Sequence, residues 1–220
     1  NIFDPSTMSS GVFTYTVPPS PPCPTNSANL TITINHIPNA GINGVHTVCE
    51  NDPVFNLFNY LTGSPDVGGI WTDVNNIPVP NMFNPNTSGS GTFIFTYTAT
   101  GASPCPDATA TVTITVNPQP VVTISGTISI TQGMSTTIDF TLTTGTTPFT
   151  VVYDDGTGPI TSPSFNSTTG TITVTPNSTT NYSLVSVTDG NGCTASLSGS
   201  VTITVNQLPT ATLSLAGNAT

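Results

Sequence analysis

The side chains best suited to chemistry in this chain are its cysteines and histidines: Cys23, Cys49, Cys105, Cys193, His36 and His46. Thiols can bond to one another or bind zinc, and imidazoles can bind metals or act as bases. No two cysteines are spaced as Cys-x-x-Cys, and the histidines, ten residues apart, are typical of surface imidazoles. We therefore predict no metal site.

The acidic residues offer two further groupings that could bind calcium or form a glycosidase pair: Asp154-Asp155, and Asp189 with Asn191. Both groupings also fit hairpin turns, which is the role we expect for them. Nucleophilic catalysis needs a base beside a serine or cysteine, and no histidine follows His46. We predict that the chain is not an enzyme, with no catalytic residue and no bound cofactor.

The single tryptophan, Trp71, could stack on a sugar ring together with Tyr97. A buried tryptophan in the core is the more common role of such a residue in a β-sandwich, and we predict that role.

Lysine and arginine are absent from all 220 residues, and the net charge is -10. Their absence excludes P-loop and Schiff-base lysines, arginine clamps on phosphate, lysine–asparagine isopeptide bonds and basic grooves for nucleic acid. The charge also disfavours nucleic acids and anionic membranes as partners. Trypsin-like proteases have no cleavage site, which suggests exposure to a hostile exterior.

Three short segments repeat along the chain: Thr31-Ile32-Thr33-Ile34-Asn35, Thr113-Ile114-Thr115-Val116-Asn117 and Thr202-Ile203-Thr204-Val205-Asn206. Each alternates apolar residues with threonine, which is typical of a strand with one buried face, and each is followed by proline at the same offset. We interpret each as the last strand of a module of about 80 to 90 residues, a size that suits a β-sandwich.

The prolines divide the chain into a partial module at 1–35, modules at 39–117 and 121–206, and the start of another at 210–220. Upstream of the first two repeated strands, Phe13-Thr14-Tyr15 recurs as Phe95-Thr96-Tyr97, and Pro22-Cys23-Pro24 recurs as Pro104-Cys105-Pro106. The chain begins at Asn1 and is expected to be cut from a longer protein. No run of 18 apolar residues occurs, so we predict no membrane insertion in this segment.

Within these modules, Asp52-Pro53 followed by apolar residues and Gly63 predicts a short helix. Strands are predicted at 68–72, 93–98, 137–142, 149–153, 171–175 and 182–188. The predicted fold is all-β, with tandem immunoglobulin-like antiparallel sandwiches in an elongated array.

Cys49 lies near the start of the module that Cys105 closes. We predict a structural disulfide between Cys49 and Cys105, worth roughly 4 kcal/mol in the loop-entropy model. The alternative is two buried free thiols. Cys23 would then lack a partner because its module is truncated, and Cys193 would be an unpaired thiol.

Two longer stretches resemble a repeat of giant surface proteins of Bacteroidota. They are Val48-Cys49-Glu50-Asn51-Asp52-Pro53 with Gly68-Gly69-Ile70-Trp71, and Thr180-Asn181-Tyr182 through Gly192-Cys193-Thr194. The chain is similar to repeat modules of SprB-type gliding-motility adhesins. That resemblance implies immunoglobulin-like modules in long arrays, which are exported by the type IX secretion machinery to the extracellular cell surface.

We expect a structural or adhesive segment that holds a distal binding region away from the cell. Its partner would be a surface polysaccharide or another extracellular surface ligand. One alternative is a carbohydrate-binding or spacer module of a secreted polysaccharide-degrading enzyme. Another is a fibre-forming subunit in which partial modules complete one another between chains.

Overall fold

A computed structural model describes residues 2–211, and these residues form two compact units. One unit contains the described residues up to His46 together with Asn56–Phe83 and Phe93–Thr113. The other contains Thr47–Phe55, Asn84–Thr92 and the described residues from Ile114 onward. Among residues 2–211, no helix has the length and apolar character needed to cross a membrane.

The first repeat forms a two-stranded antiparallel ribbon of β1 (Gly11–Val17) and β2 (Asn26–Ile32). Phe13 lies opposite Leu30, and Tyr15 lies opposite Ala28. Alternation of apolar and polar residues gives the ribbon one apolar face, as the sequence pattern predicts. That face is largely exposed, since Tyr15 retains 72% and Leu30 61% of their accessible surface.

The second repeat contains six strands in two sheets: β3 (Gly44–Cys49), β4 (Phe55–Asn56), β5 (Ile70–Thr72), β6 (Met82–Phe83), β7 (Gly91–Ala99) and β8 (Ala108–Asn117). The larger sheet has the order β3-β8-β7-β5, and β4 pairs with β6. Every second residue of β8 from Ala110 to Val116 is buried, in agreement with the predicted alternation. Strand β7 confirms the predicted aromatic face, because Phe93, Phe95 and Tyr97 are more buried than Ile94.

The helix predicted after Asp52-Pro53 is wrong. The segment contains only a 3-10 turn at Leu57–Tyr60, capped by Asn56, whose side chain accepts a hydrogen bond from Phe58 N. The backbone before the turn is extended and pairs in a sheet, and Leu57 N donates to Asn81 O at 2.8 Å. Asp52 caps no helix, because its carboxylate accepts from Cys49 N at 2.9 Å. A separate short helix, α1 (Pro85–Ser88), begins after Asn84 and was not predicted.

The third repeat contains nine strands: β9 (Val121–Gly126), β10 (Ser129–Thr131), β11 (Thr136–Thr144), β12 (Thr150–Asp154), β13 (Pro159–Thr161), β14 (Thr169–Val174), β15 (Thr180–Thr188), β16 (Thr194–Ser196) and β17 (Ser200–Asn206). One sheet has the order β14-β11-β9. The other has the order β10-β17-β15-β12-β13, with β16 also paired to β15. The predicted strands of this module are confirmed, with ends that differ by a few residues.

The two sheets of the third repeat share one hydrophobic core. Phe140 and Ile138 of β11 are fully buried with Val151 of β12 and Ile203 of β17. The orders β9-β11-β14 and β12-β15-β17 correspond to strands A-B-E and C-F-G of an immunoglobulin sandwich. The predicted immunoglobulin-like all-β class is therefore confirmed.

The limits of the compact units differ from the predicted module limits. Residues 47–55 and 84–92 and the end of β8 group with the third repeat. Covalent and hydrogen-bonded links around Cys49 account for this grouping, as described below. The predicted segment 210–220 lies almost entirely outside the described residues.

Candidate functional site: the Cys49–Cys193 disulfide

The predicted disulfide between Cys49 and Cys105 is wrong, because Cys49 is bonded to Cys193. The two Cα atoms are 5.6 Å apart, although the residues are separated by 144 positions in the sequence. The prediction of an unpaired Cys193 is wrong for the same reason. Cys105 and Cys23 are free thiols. The disulfide therefore joins residues of two consecutive repeats.

Cys193 lies in a tight loop between β15 and β16 that is organised by the carboxylate of Asp189. Oδ1 of Asp189 accepts hydrogen bonds from Asn191 N and Cys193 N, both at 3.0 Å, and Oδ2 accepts from Thr146 N at 2.9 Å. Asp189 is 5% exposed and Cys193 is fully buried. Backbone N–H groups thus stabilise the buried negative charge in a chain that has no lysine or arginine.

The hairpin-turn role predicted for Asp189 with Asn191 is confirmed. Thr188 and Thr194 are paired on the two sides of the loop. Oδ1 accepts from two backbone N–H groups of the loop, which is the geometry of a turn held by its own side chain. Oδ2 binds Thr146 N, in the connection between β11 and β12.

Glu50, the residue after Cys49, connects three backbone segments near the disulfide. Its N–H donates to Asn117 O at 3.0 Å. Its Oε1 accepts from Ser90 N at 2.9 Å, and its Oε2 accepts from Gln119 N at 3.1 Å. Glu50 is the only glutamate of the chain. Its Oε2 therefore fixes the linker that leads from β8 to β9, and its Oε1 fixes the residue before β7.

Asn51 adds a direct hydrogen bond beside the disulfide. Its Nδ2 donates to Thr194 O at 3.1 Å, one residue beyond Cys193. Asp52 closes the turn on the other side, with its N–H donating to Cys49 O at 3.0 Å. The whole Cys49-Glu50-Asn51-Asp52 segment therefore positions the disulfide and the linker together. This arrangement constrains the relative position of the bonded segments.

Trp71 is confirmed as a core residue. It is 4% exposed, and its ring centroid lies 5.1 Å from that of Tyr97, which is 1% exposed. The Tyr97 hydroxyl donates to Asp66 O and accepts from Gly69 N at 2.8 Å. A Cβ atom on Gly69 would collide with the Tyr97 ring, at 2.5 Å. Both rings line a depression of about 530 Å³, although Trp71 remains buried there.

The two histidines have separate partners. His36 Nε2 lies 3.4 Å from Asp66 Oδ2 on the surface, and His46 stacks on Tyr60 with ring centroids 4.0 Å apart. No group of three or more His, Cys, Asp or Glu side chains that could hold a metal is found within residues 2–211.

The Asp154-Asp155 pair forms the turn between β12 and β13, as predicted. Asp154 Oδ1 accepts from Gly156 N at 2.7 Å, and Asp155 Oδ1 accepts from Thr157 N and Oγ1 at 3.0 and 2.6 Å. The two bonds from Thr157, first that from its hydroxyl, lower the pKa of Asp155 below 3.8. Burial, and then the charge of Asp155, raise the pKa of Tyr153 and of Tyr182 above 10.0.

No family model matches the chain. No curated protein matches it either. Among solved structures, it is similar to an I-band fragment of titin, with 12% identity and a TM-score of 0.46 over 91% of this chain and 75% of that one. It is also similar to fibronectin(III)-like modules of Clostridium thermocellum CbhA, with 13% identity and a TM-score of 0.37 over 76% of this chain and 91% of that one. The immunoglobulin domains 1–5 of Sidekick-1 align with 11% identity and a TM-score of 0.36, over 90% of this chain and 46% of that one.

Proposed function

We propose that the chain is a structural segment of a large secreted cell-surface adhesin that holds a distal binding region away from the cell. The distal region would bind a surface polysaccharide or another extracellular ligand. We also propose export by the type IX secretion machinery and a setting in gliding motility. The resemblance of the sequence motifs to SprB-type repeat modules supports the proposals on export and gliding motility.

One observation carries the structural role: the Cys49–Cys193 disulfide links two consecutive repeats. A spacer must transmit position and force along its length, and a covalent bond between neighbouring repeats limits their independent movement. A disulfide of this kind persists in oxidising compartments outside the cytosol, which supports an extracellular location.

The polar side chains around the disulfide also support a structural role. Glu50, Asn51 and Asp189 all bind backbone groups of the protein. Trp71, the residue best suited to stacking on a sugar, lies in the core. The carbohydrate-binding alternative therefore lacks an exposed aromatic platform at the position where the sequence placed it.

The deciding experiment replaces residues 39–206 of the full-length protein with two unrelated immunoglobulin-like modules. We expect surface display and adhesion to be retained, because a spacer needs only length and stiffness. A matched deletion of 39–206 without replacement should reduce adhesion while the protein still reaches the surface. Loss of adhesion in the replaced protein, at normal surface level, would contradict the spacer role.

A second arm tests direct sugar binding by the 220-residue chain on a glycan array. We expect no specific signal. Specific binding that is lost on Ile70→Ala, an exposed residue at the rim of the depression beside Trp71, would favour the carbohydrate-binding alternative. Val45→Ala is the matched control, since Val45 is 82% exposed and does not line that depression.

A further inference from the structure

The three loop cysteines occupy equivalent places in the three repeats. Cys23 lies between β1 and β2, Cys105 between β7 and β8, and Cys193 between β15 and β17. In each repeat the two flanking strands are neighbours in one sheet. Cys193 is bonded, and Cys23 and Cys105 are free thiols.

The partner of Cys193 also has an equivalent in the next repeat. The residue after Cys49 donates its N–H to Asn117 O at 3.0 Å, and Gln132, the residue after Thr131, donates to Asn206 O at 2.9 Å. A turn follows in both cases, closed by bonds of 3.0 Å to Cys49 O and to Thr131 O. Thr131 therefore stands at the position that Cys49 occupies one repeat earlier.

The Cys49–Cys193 disulfide thus links the loop before the last strand of one repeat to the end of the strand that pairs with the last strand of the repeat before it. We propose that Cys105 forms the same disulfide, in the full-length protein, with a cysteine at the Cys49-equivalent position of the preceding repeat. That repeat is the one that contributes β1 and β2. Its Cys49-equivalent position is not among the 220 residues.

A contact within the first unit places the preceding repeat beside Cys105. Asn35, the equivalent of Asn117, donates its Nδ2 to Ser103 O at 2.6 Å and to Ala102 O at 3.4 Å, in the loop that carries Cys105. In the second repeat, the residue after Cys49 is hydrogen-bonded to Asn117. A cysteine at the equivalent position of the preceding repeat would therefore lie next to Asn35, and so close to Cys105.

The exposed face of β1 and β2 indicates that the rest of this repeat comes from elsewhere in the polypeptide. Phe13, Tyr15 and Leu30 are 41%, 72% and 61% exposed. The counterparts of Tyr15 and Leu30 are Tyr97 and Val112, which are 1% and 0% exposed, because they lie in the core of the second repeat. We assign the cover to the upstream segment equivalent to residues 39–83, which also carries the partner cysteine.

Bond formation requires a disulfide-containing oxidant, such as an oxidised thiol carrier of the secretion compartment. One thiolate attacks a sulfur of the oxidant to form a mixed disulfide, and the second thiolate then displaces the carrier. Cys105 and its partner together lose two electrons and two protons. The carrier gains them and is released as a dithiol.

The test uses the full-length secreted protein, alkylated with iodoacetamide without reduction and digested with pepsin. Acidic digestion keeps thiols protonated, so disulfides do not exchange. We expect a peptide containing Cys105 bonded to a peptide about 140 residues upstream, near the separation of 144 between Cys49 and Cys193. The Cys49–Cys193 pair in the same digest is the internal control.

A Cys105→Ser variant of the full-length protein should gain one alkylated cysteine at that upstream position. The same variant should keep the Cys49–Cys193 pair. An alkylated Cys105 in the unmodified protein would overturn the proposal, as would Cys105 bonded to Cys23, to a second chain or to any other position. The proposed spacer role does not depend on this result, because it is tested by module replacement.

Discussion

The sulfur atoms of Cys49 and Cys193 are bonded across 144 residues, a separation longer than either of the two repeats that they join. The bond closes a loop that contains Trp71, the core of the second repeat and most of the third repeat, from β9 through β15. In the loop-entropy description, closing a loop of this length restricts the unfolded chain by about 5 kcal/mol. This value is the upper limit that we expect for the contribution of the disulfide to the free energy of unfolding.

We predict that Cys193→Ala lowers the free energy of unfolding of the third repeat by about 2–4 kcal/mol. Hydrogen exchange followed by peptide mapping over 121–206 would measure the change. Dithiothreitol should move the wild-type protein to the level of the variant and leave the variant unchanged. The measurement uses the 220-residue chain, in which Cys105 is a free thiol, so Cys105→Ala is the control, and an equal loss there would contradict the assignment.

The loop around Cys193 should depend on Asp189. Asp189→Ala leaves three backbone N–H groups without their acceptor, and we expect a loss of at least about 3 kcal/mol in denaturant unfolding. Asp189→Asn keeps one oxygen for Asn191 and Cys193, but it places an amide donor against Thr146 N. Its expected loss is smaller, about 1–3 kcal/mol.

The control for Asp189→Asn is Asp139→Asn, which removes the same charge from a half-buried strand position. Asp139 accepts a cross-strand hydrogen bond from Thr171 Oγ1 at 2.8 Å, and an amide oxygen can still accept it. We expect a change below about 0.5 kcal/mol. An equal loss of unfolding free energy in both variants would contradict this prediction. The loss would then come from removing a charge and would not come from the hydrogen bonds of Asp189.

The turn at Asp155 provides a prediction on pH. The hydrogen bonds from Thr157 lower the pKa of Asp155 below 3.8, so they stabilise the turn above that pH. This contribution is lost as the pH falls through the lowered pKa of the folded state. We predict that Thr157→Val raises the Asp155 pKa towards 3.8, as followed by NMR of its carboxyl carbon. Thr157→Ser, which keeps the hydroxyl, should leave it low.

Tyr15 and Tyr97 show how much the sequence could predict and where it stops. The two residues belong to the same repeated motif and both lie in strands, as predicted. Local patterns fix the strand and its alternation, because they depend on neighbouring residues along the chain. Burial depends on which other strands cover the face, so Tyr15 is 72% exposed and Tyr97 is 1% exposed.

The prediction of a Cys49–Cys105 disulfide is wrong because it assumes that both cysteines of a pair belong to one module. The signal that could have found the observed disulfide was the missing cysteine at Thr131, combined with the equivalence of Cys105 and Cys193. This equivalence is visible only when the loops are aligned on the strands that flank them. The predicted helix after Asp52 is also wrong because contacts with other segments outweigh the local pattern. Asp52 binds Cys49 N, and the segment pairs with β6 as β4.

The absence of lysine and arginine has a direct consequence for proteolysis. Heated and reduced protein should remain intact under trypsin, because even the unfolded chain contains no site. Chymotrypsin should degrade the same sample at its phenylalanine, tyrosine and tryptophan residues. Gel electrophoresis and mass spectrometry of both digests measure this outcome, and trypsin fragments would contradict it.

The absence of lysine and arginine protects the protein outside the cell only if lysines introduced on its surface make it sensitive to trypsin-like proteases. This hypothesis can be tested by substitution. Thr123, Thr173 and Thr204 are exposed strand residues that can accept lysine without burying a charge. We expect the triple lysine variant to match the wild type in denaturant unfolding within about 1 kcal/mol. In trypsin-containing medium it should be cleaved whenever these strands fray, while the matched triple glutamine variant survives. Equal survival of the two variants, at equal surface export, would show that protease avoidance does not explain the missing cations.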